Sequence, residues 1–381
     1  MSFSADQLEN GACSATGLGD FGSPYYREGL ERTVEALNDE AELNELGRVM
    51  QHATISNALM QRLKIIDAYK QHPEIADEIV EGPVVVLGLP RTGTTALSQL
   101  VAADPQFRSL RTWESQAPTP PPEAATQHSD PRIAQAADGI AMIEQMFPDF
   151  RASVNSEAEA ATECQDLMGM SFRTFHFDGV VRVPGYVEWL MRSDMRETYV
   201  FHRDVLKLLQ WHCKPNLWHL RTPVHMFALE AFVEAYPNAK FLWSHRDPAK
   251  VLGSVCSLIA YIRSWSSGRK DPEELGAEQL AWWAEGTRRA MAFRQKFGDE
   301  RFVDVSFADL QTDPVNTVAA GYQQLGLTFT DSARARVREW ADSHKPGHRG
   351  THTYDLADYG LTPDQVREAF GDYIAAYDAT A

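Results

Sequence analysis

Short apolar runs along the chain alternate with longer stretches in which apolar residues recur every three or four positions. The runs Val84–Leu87, Leu217–Arg221, Phe241–His245 and Arg301–Ser306 are rich in β-branched and aromatic residues and predict buried strands. A further strand is expected near Ser109–Thr112. Between the runs the pattern turns helical, from Ala96 to Ala103 and again after Asp247-Pro248, where Leu252, Val255 and Ile259 fall on one face. Strands alternating with helices predict an α/β fold, a central parallel sheet of P-loop type flanked by helices, with ligands at the carboxyl edge of the strands.

Two regions lie outside this alternation. Residues 1–24 are rich in glycine, serine and alanine and read as an ordered arm or a loose tail. From Tyr25 to His72 the apolar spacing (Leu30, Val34, Leu37, then Ile55 through Ile66) predicts helices that cap the core or pair two copies of the chain. The expected division is therefore an N-terminal helical region, 1–80, packed on a domain spanning 81–381. Within that domain the proline cluster Pro118–Pro122 opens a helical insertion, residues 115–215. Its aromatics (Phe147, Phe150, Phe172, Phe175, Phe177, Tyr186, Trp189, Tyr199 and Phe201) either line an apolar acceptor cleft or simply fill the core.

Chemistry concentrates after the first strand, in Gly88-Leu89-Pro90-Arg91-Thr92-Gly93-Thr94-Thr95. A strand, a glycine loop and a helix N-terminus aim backbone N–H groups and the positive end of the helix dipole at one point, which suits a phosphate-like anion. The nucleotide-triphosphatase motif has a lysine and a magnesium-binding hydroxyl after its second glycine. Here Gly88 and Gly93 keep the motif's spacing, Thr94 occupies the lysine's place, and the cation has moved to Arg91. A loop of hydroxyls fits a donor with less terminal charge than ATP and no need of metal. Sulfuryl transfer from a phosphosulfate meets that description.

The block Gly-Leu-Pro-Arg-Thr-Gly-Thr-Thr resembles the 5′-phosphosulfate loop of sulfotransferases that use 3′-phosphoadenosine 5′-phosphosulfate (PAPS). It is most similar to the bacterial branch related to tyrosylprotein sulfotransferases, and the likeness runs from about Gly82 to about Tyr373. It implies that Arg91, Thr92, Gly93, Thr94 and Thr95 hold the 5′-phosphosulfate. Arg246, at the end of the strand Phe241–His245, and Ser254, eight residues on, match the family's 3′-phosphate pair. An arginine fork is well shaped for that group. Arg221 matches a family lysine that steadies the transferring sulfuryl group. Lys345 and Arg349, in the basic glycine-containing stretch His344–Tyr354, match a loop that closes over the 3′-phosphate. The three histidines of that stretch lie around two glycines and a proline with no cysteine near, so no metal site is expected.

The acceptor's proton needs a base, and a positioned carboxylate contributes typically about 10²–10⁴-fold. Glu114, in Leu110-Arg111-Thr112-Trp113-Glu114, is the first choice, expected at the end of the second strand. Tyrosylprotein-type enzymes place a glutamate at a similar distance. His225 is a rival, because the histidine of the cytosolic Lys-Thr-His pattern is replaced here by Pro223. Glu163 is a third candidate, on a stretch from Glu157 to Met170 that reads as helix and carries other acids.

Composition narrows the partners. The 381-residue chain carries a net charge of −17, which argues against nucleic acid or an anionic membrane over the bulk surface. The cysteines Cys13, Cys164, Cys213 and Cys256 show no paired spacing, the polar N-terminal stretch leads us to expect no secretion signal, and the run Val255–Ile262 is too short to span a bilayer. The expected picture is a cytoplasmic enzyme. It takes PAPS as donor, releases 3′-phosphoadenosine 5′-phosphate (PAP), and acts on a small hydrophobic or phenolic hydroxyl acceptor. A homo-oligomer through the N-terminal helices is compatible with it. Two other readings keep the same loop: a P-loop kinase or NTPase with a degenerate lysine, and a nucleotide-binding protein without turnover.

Overall fold

The computed structural model describes residues 2–148, 157–214, 216–344 and 354–379. Five strands, β1 (Val84–Gly88), β2 (Phe107–Ser109), β3 (Leu217–Arg221), β4 (Lys240–His245) and β5 (Phe302–Ser306), form one sheet in the order β2-β3-β1-β4-β5. Every pairing is parallel, and Val85 lies opposite both Leu220 and Phe241. The α/β expectation holds, with one boundary moved. The second strand ends at Ser109, and Thr112–Gln116 is already a short helix, so Glu114 is not at a strand end.

The period of two along β1 divides the core. Val84 and Val86 face one side, where they pack with Leu97, Leu100 and Val101 of the following helix and with Leu242, Val303 and Val305. Val85 and Leu87 face the other side and join Trp218, Phe241 and Trp243. A strand buried on both faces has no polar alternation, which is why Val84–Leu87 reads as a continuous apolar run.

The N-terminal segment is ordered: α1 (Ala5–Thr16), α2 (Tyr25–Asp39) and α3 (Glu45–Gln71) precede the sheet, and α4 (Thr94–Ala102) follows β1. Ser4 and Asn44 cap α1 and α3 with side-chain oxygens on the N–H groups of Gln7 and Gly47. Leu8, Leu30, Ile55 and Leu63 of α1–α3 are buried in the same core as Val85 and Leu87. In the insertion, Phe172, Phe177, Tyr186 and Tyr199 are 0–2% exposed and also belong to that core. Phe150 lies outside the described residues.

One helical expectation fails. Residues 157–164 run as turns and extended chain before the helix Gln165–Gly169. Thr112 and Trp113 donate to the carbonyls of Ala160 and Ala158, Thr162 donates to Leu110, and Cys164 donates to Arg221. Arg111 and Ala161 form an antiparallel bridge. These long-range backbone bonds outweigh the helical preference of an Ala/Glu-rich segment, whose propensities differ by only tenths of a kcal/mol per residue.

Candidate active site

The loop after β1 is shaped by two glycines. At Gly88, φ is +142°, and an added Cβ would lie 2.6 Å from the Ser244 carbonyl oxygen of β4. At Gly93, φ is +86°, and a Cβ would lie 2.9 Å from the Phe307 ring. Any other residue would have to push a backbone or an aromatic ring aside, so the approach of the loop to β4 requires glycine here. Gly93 is the N-cap of α4, and no side chain caps the helix, leaving its first amides directed to the loop. The Thr92 hydroxyl donates to the Leu89 carbonyl at 2.7 Å and its own carbonyl accepts from the Ser244 hydroxyl. Thr92 therefore builds the turn.

Three elements deliver cations to this loop. Arg91 adopts φ +66°, and its Nε donates to Ser254 Oγ at 3.1 Å. Arg246, at the tip of β4, donates from Nη1 to the Arg91 carbonyl at 2.9 Å and lies 4.2 Å from the centroid of the Phe307 ring. The residue Arg91 is exposed overall, yet its guanidinium is desolvated. That desolvation lowers its pKa, Tyr354 opposes the shift, and the charge of Arg246 adds to it. Neither arginine forms an ion pair with a carboxylate among the described residues. Two adjacent unneutralised guanidinium groups favour an anion between them. Arg246 also borders a cavity of 350 Å³ lined by Lys250, Tyr354 and Asp355. A larger cleft of 870 Å³ lies between helix Pro272–Phe297 and residues 368–377, and none of its lining residues belongs to the loop.

From the third element, β3, Arg221 reaches across to α4, donating from Nη1 to Thr95 Oγ1 at 2.9 Å. The same Nη1 lies 3.8 Å from Glu163 Oε1. Glu163 Oε2 accepts from Thr222 Oγ1 at 3.0 Å and from Gln165 Nε2 at 2.9 Å. Its side chain keeps 31% of its surface exposed. A carboxylate that is hydrogen-bonded and still open to solvent lies one arginine away from the loop's threonine.

Glu114, expected as the base, is enclosed instead. Its side chain is 0% exposed, and Oε1 accepts from Arg108 Nη2 at 2.5 Å and Arg111 Nη2 at 2.8 Å, while Oε2 accepts from the Arg111 amide at 3.2 Å. Burial raises its pKa, but the charges and hydrogen bonds of Arg108 and Arg111 outweigh it, and the net shift is downward. Both oxygens of Glu114 are thus engaged within an enclosed setting at the start of its helix, not on an open strand end. His225, the rival candidate, is enclosed as well. His225 is 0% exposed, its Nδ1 bonds the Tyr199 hydroxyl at 2.9 Å, and the Phe232 ring lies 4.6 Å away. Burial and the neighbouring His202 push its pKa well below the usual range.

Lys345 and Arg349 lie outside the described residues. Sequence reasoning alone does not find Thr222, Gln165, Tyr354 or Phe307. A polar residue just past the apolar strand Leu217–Arg221 was the available signal for Thr222. Nothing local distinguishes Phe307 from a core aromatic, because its role depends on the arginine above it.

A parallel sheet, a glycine loop and convergent arginines at its carboxyl edge define a P-loop-type transferase site for an anionic group. A sulfotransferase family model matches residues 83–331, and the chain belongs to the sulfotransferase family. The crystal structure of sulfotransferase STF1 from Mycobacterium tuberculosis H37Rv superposes with a TM-score of 0.88 at 34% identity, covering 97% of this chain and 99% of that one. Sulfotransferase STF9 from Mycobacterium avium gives 0.91 at 30% identity, covering 98% and 97%. Over 307 residues the chain is 25% identical to omega-hydroxy-beta-dihydromenaquinone-9 sulfotransferase Stf3 of Mycobacterium bovis, 78% of this chain and 76% of that protein. No helix among the described residues is long and apolar enough to cross a membrane.

Proposed function

We propose that this enzyme transfers a sulfuryl group from PAPS to a hydroxyl on a small, largely apolar acceptor, with Glu163 as the general base. The observation that carries this reading is the run of contacts from Thr95 through Arg221 to Glu163, beside the Arg91–Arg246 pair. The amides at the start of α4, with Thr94 and Thr95, would hold the 5′-phosphosulfate. Arg91 would steady charge on the bridging oxygen as the sulfur–oxygen bond to phosphate breaks. Arg221 would hold the sulfuryl oxygens while the acceptor oxygen forms the new bond in line. Glu163 would take the acceptor's proton, and PAP would leave. Arg246, with Ser254 behind Arg91, would read the 3′-phosphate.

Catalysis of this kind is chiefly positioning and electrostatics, as in phosphoryl transfer, and asks for no metal in the loop. No group of three or more metal-ligating side chains occurs among the described residues. An apolar acceptor agrees with the substrate in the name of the Stf3 relative, a hydroxylated dihydromenaquinone.

Calorimetric titration in EDTA with PAP and, separately, ADP tests the donor. Wild-type protein should prefer PAP, and Arg246→Ala should lose roughly 10–100-fold for PAP, the worth of one charge-assisted contact. ADP binding that appears only with magnesium would move the site to nucleotide-triphosphate chemistry.

A further inference from the structure

Helix α4 has two faces with different partners. Leu97, Leu100 and Val101 are buried against the sheet, whereas Thr95 and Gln99, one turn apart, share the opposite side. Thr95 Oγ1 receives the Arg221 guanidinium at 2.9 Å. Gln99 is 8% exposed, and its Nε2 donates to the Ala161 carbonyl at 3.0 Å. A carbonyl only accepts, so the amide turns its nitrogen to Ala161. Ala161 stands two residues before Glu163 in the chain.

The segment around Glu163 is extended and carries no helical hydrogen bonds of its own, so its place is set by its neighbours. Thr112 donates to the Ala160 carbonyl at 3.2 Å, Thr162 donates to Leu110 at 2.8 Å, and Cys164 donates to Arg221 at 3.0 Å. Those three ties join backbone groups and depend on no particular side chain. The tie at Ala161 is different, because a side chain supplies it. Together the Ala161 and Cys164 bonds bracket Glu163. Cys164 refers it to β3, the strand that carries Arg221, and Gln99 refers it to α4, whose first amides face the glycine loop. The Glu163 side chain is 31% exposed, so packing alone does not fix it, and the backbone on either side has to.

We propose that Gln99 is a positioning residue for the general base, setting through the Ala161 carbonyl how far Glu163 stands from the group held in the loop. The proposal rests on the reading of Glu163 given above. One turn of α4 then joins the two halves of the reaction. Its amides serve the donor, Thr95 holds the arginine on the sulfuryl oxygens, and Gln99 holds the residue that takes the acceptor's proton. The expected signature is slower turnover with intact donor binding. Gln99 makes no contact with Arg91 or Arg246 among the described residues, whereas a misplacement of about 1 Å at a reacting group costs on the order of 100-fold.

The test is a cycle of Gln99→Met, Glu163→Gln and the double variant. It is read as kcat at saturating PAPS with the most active of a panel of apolar phenols and alcohols, and as PAP affinity by calorimetry. Methionine keeps the length and volume of glutamine and removes the donor. Gln99→Met should lower kcat roughly 10-fold, the effect of one lost hydrogen bond with its carbonyl left bare, while KM for PAPS and Kd for PAP change by less than about 2-fold. Added to Glu163→Gln, it should cost less than about 2-fold more, because a base already removed cannot be misplaced further. Amide hydrogen exchange over residues 158–164 should quicken in Gln99→Met, and without that change the proposal falls whatever the rates. If Gln99→Met does not fold, Gln99→Asn, whose amide ends one methylene short of Ala161, should show the same pattern on a smaller scale. Wild-type kcat in the Gln99 variants, or losses that multiply in the double variant, overturns the proposal and leaves Glu163 standing as the base. Wild-type kcat in Glu163→Gln overturns both.

Discussion

Two segments meet at the Arg111–Ala161 bridge, and each carries a glutamate. On one side Glu114 is wholly enclosed, with two guanidinium groups on one oxygen. On the other side Glu163 keeps part of its surface open, beside a single more distant arginine and a threonine hydroxyl. The residue type is the same and the backbones are hydrogen-bonded to each other, yet one carboxylate is enclosed and the other is partly open to solvent. Enclosure decides the difference. A carboxylate saturated by arginines in a dry site holds its proton poorly and meets no substrate, whereas a partly solvated one can accept a proton and pass it on.

The comparison breaks most visibly in stability. Glu114→Ala should cost about 3–5 kcal/mol, because Arg108 and Arg111 would be left buried and uncompensated. Denaturant unfolding measures this, and turnover per folded molecule should stay within a few-fold of wild type. A variant as stable as wild type would contradict the structural role. Glu163→Gln should do the reverse. Turnover should fall by roughly 100-fold or more, equivalent to about 2.7 kcal/mol in the barrier, with PAP affinity and unfolding midpoint nearly unchanged. Equal losses from both substitutions would erase the distinction.

A smaller effect extends the contrast to the histidines. His202 and His219 are buried with pKa values lowered by burial from 6.5 to about 3, and His225 is lowered well below its usual value. The Nε2 atoms of all three have no hydrogen-bond partner among the described residues. The unfolded chain takes up protons below about pH 6.5 that these folded histidines refuse. Their contribution is thus fully present above that pH and declines as pH falls through it. Between pH 7 and pH 6 the loss should be on the order of 2 kcal/mol in total. Asp178, raised by burial to about 6, works in the opposite direction and is outnumbered. An unfolding free energy that stays flat from pH 7 to pH 6 would mean that water reaches these rings.

The sheet was legible because burial on both faces leaves an unmistakable mark. Val84–Leu87 and Phe241–Trp243 are unbroken apolar runs, and the glycine loop follows Val84–Leu87 at once. The cation-bearing positions were legible for a related reason, since Arg91, Arg221 and Arg246 all stand at or just beyond the carboxyl ends of strands. Choosing between the glutamates was not possible from the sequence. Arg108 and Arg111 lie beside Glu114 in the chain, but spacing alone does not say that both turn inward. The segment bearing Glu163 has helical composition, and its bonds to Leu110, residues 112–113, Arg221 and the Gln99 side chain hold it extended. The Gln99–Ala161 contact joins residues 62 positions apart, which no local pattern announces.

Arg91 sits in the left-handed backbone region, where a residue with a side chain is held at a cost on the order of 1–3 kcal/mol. Glycine would remove that cost and, with it, the loop's own cation. On the proposed mechanism, mutational drift at this codon is pulled two ways: folding rewards the loss of the side chain and sulfuryl transfer penalises it. A descendant of this chain freed from selection for turnover would be expected to relax here early, gaining thermal resistance as it falls silent. Position 91 would then record whether a lineage still performs the reaction.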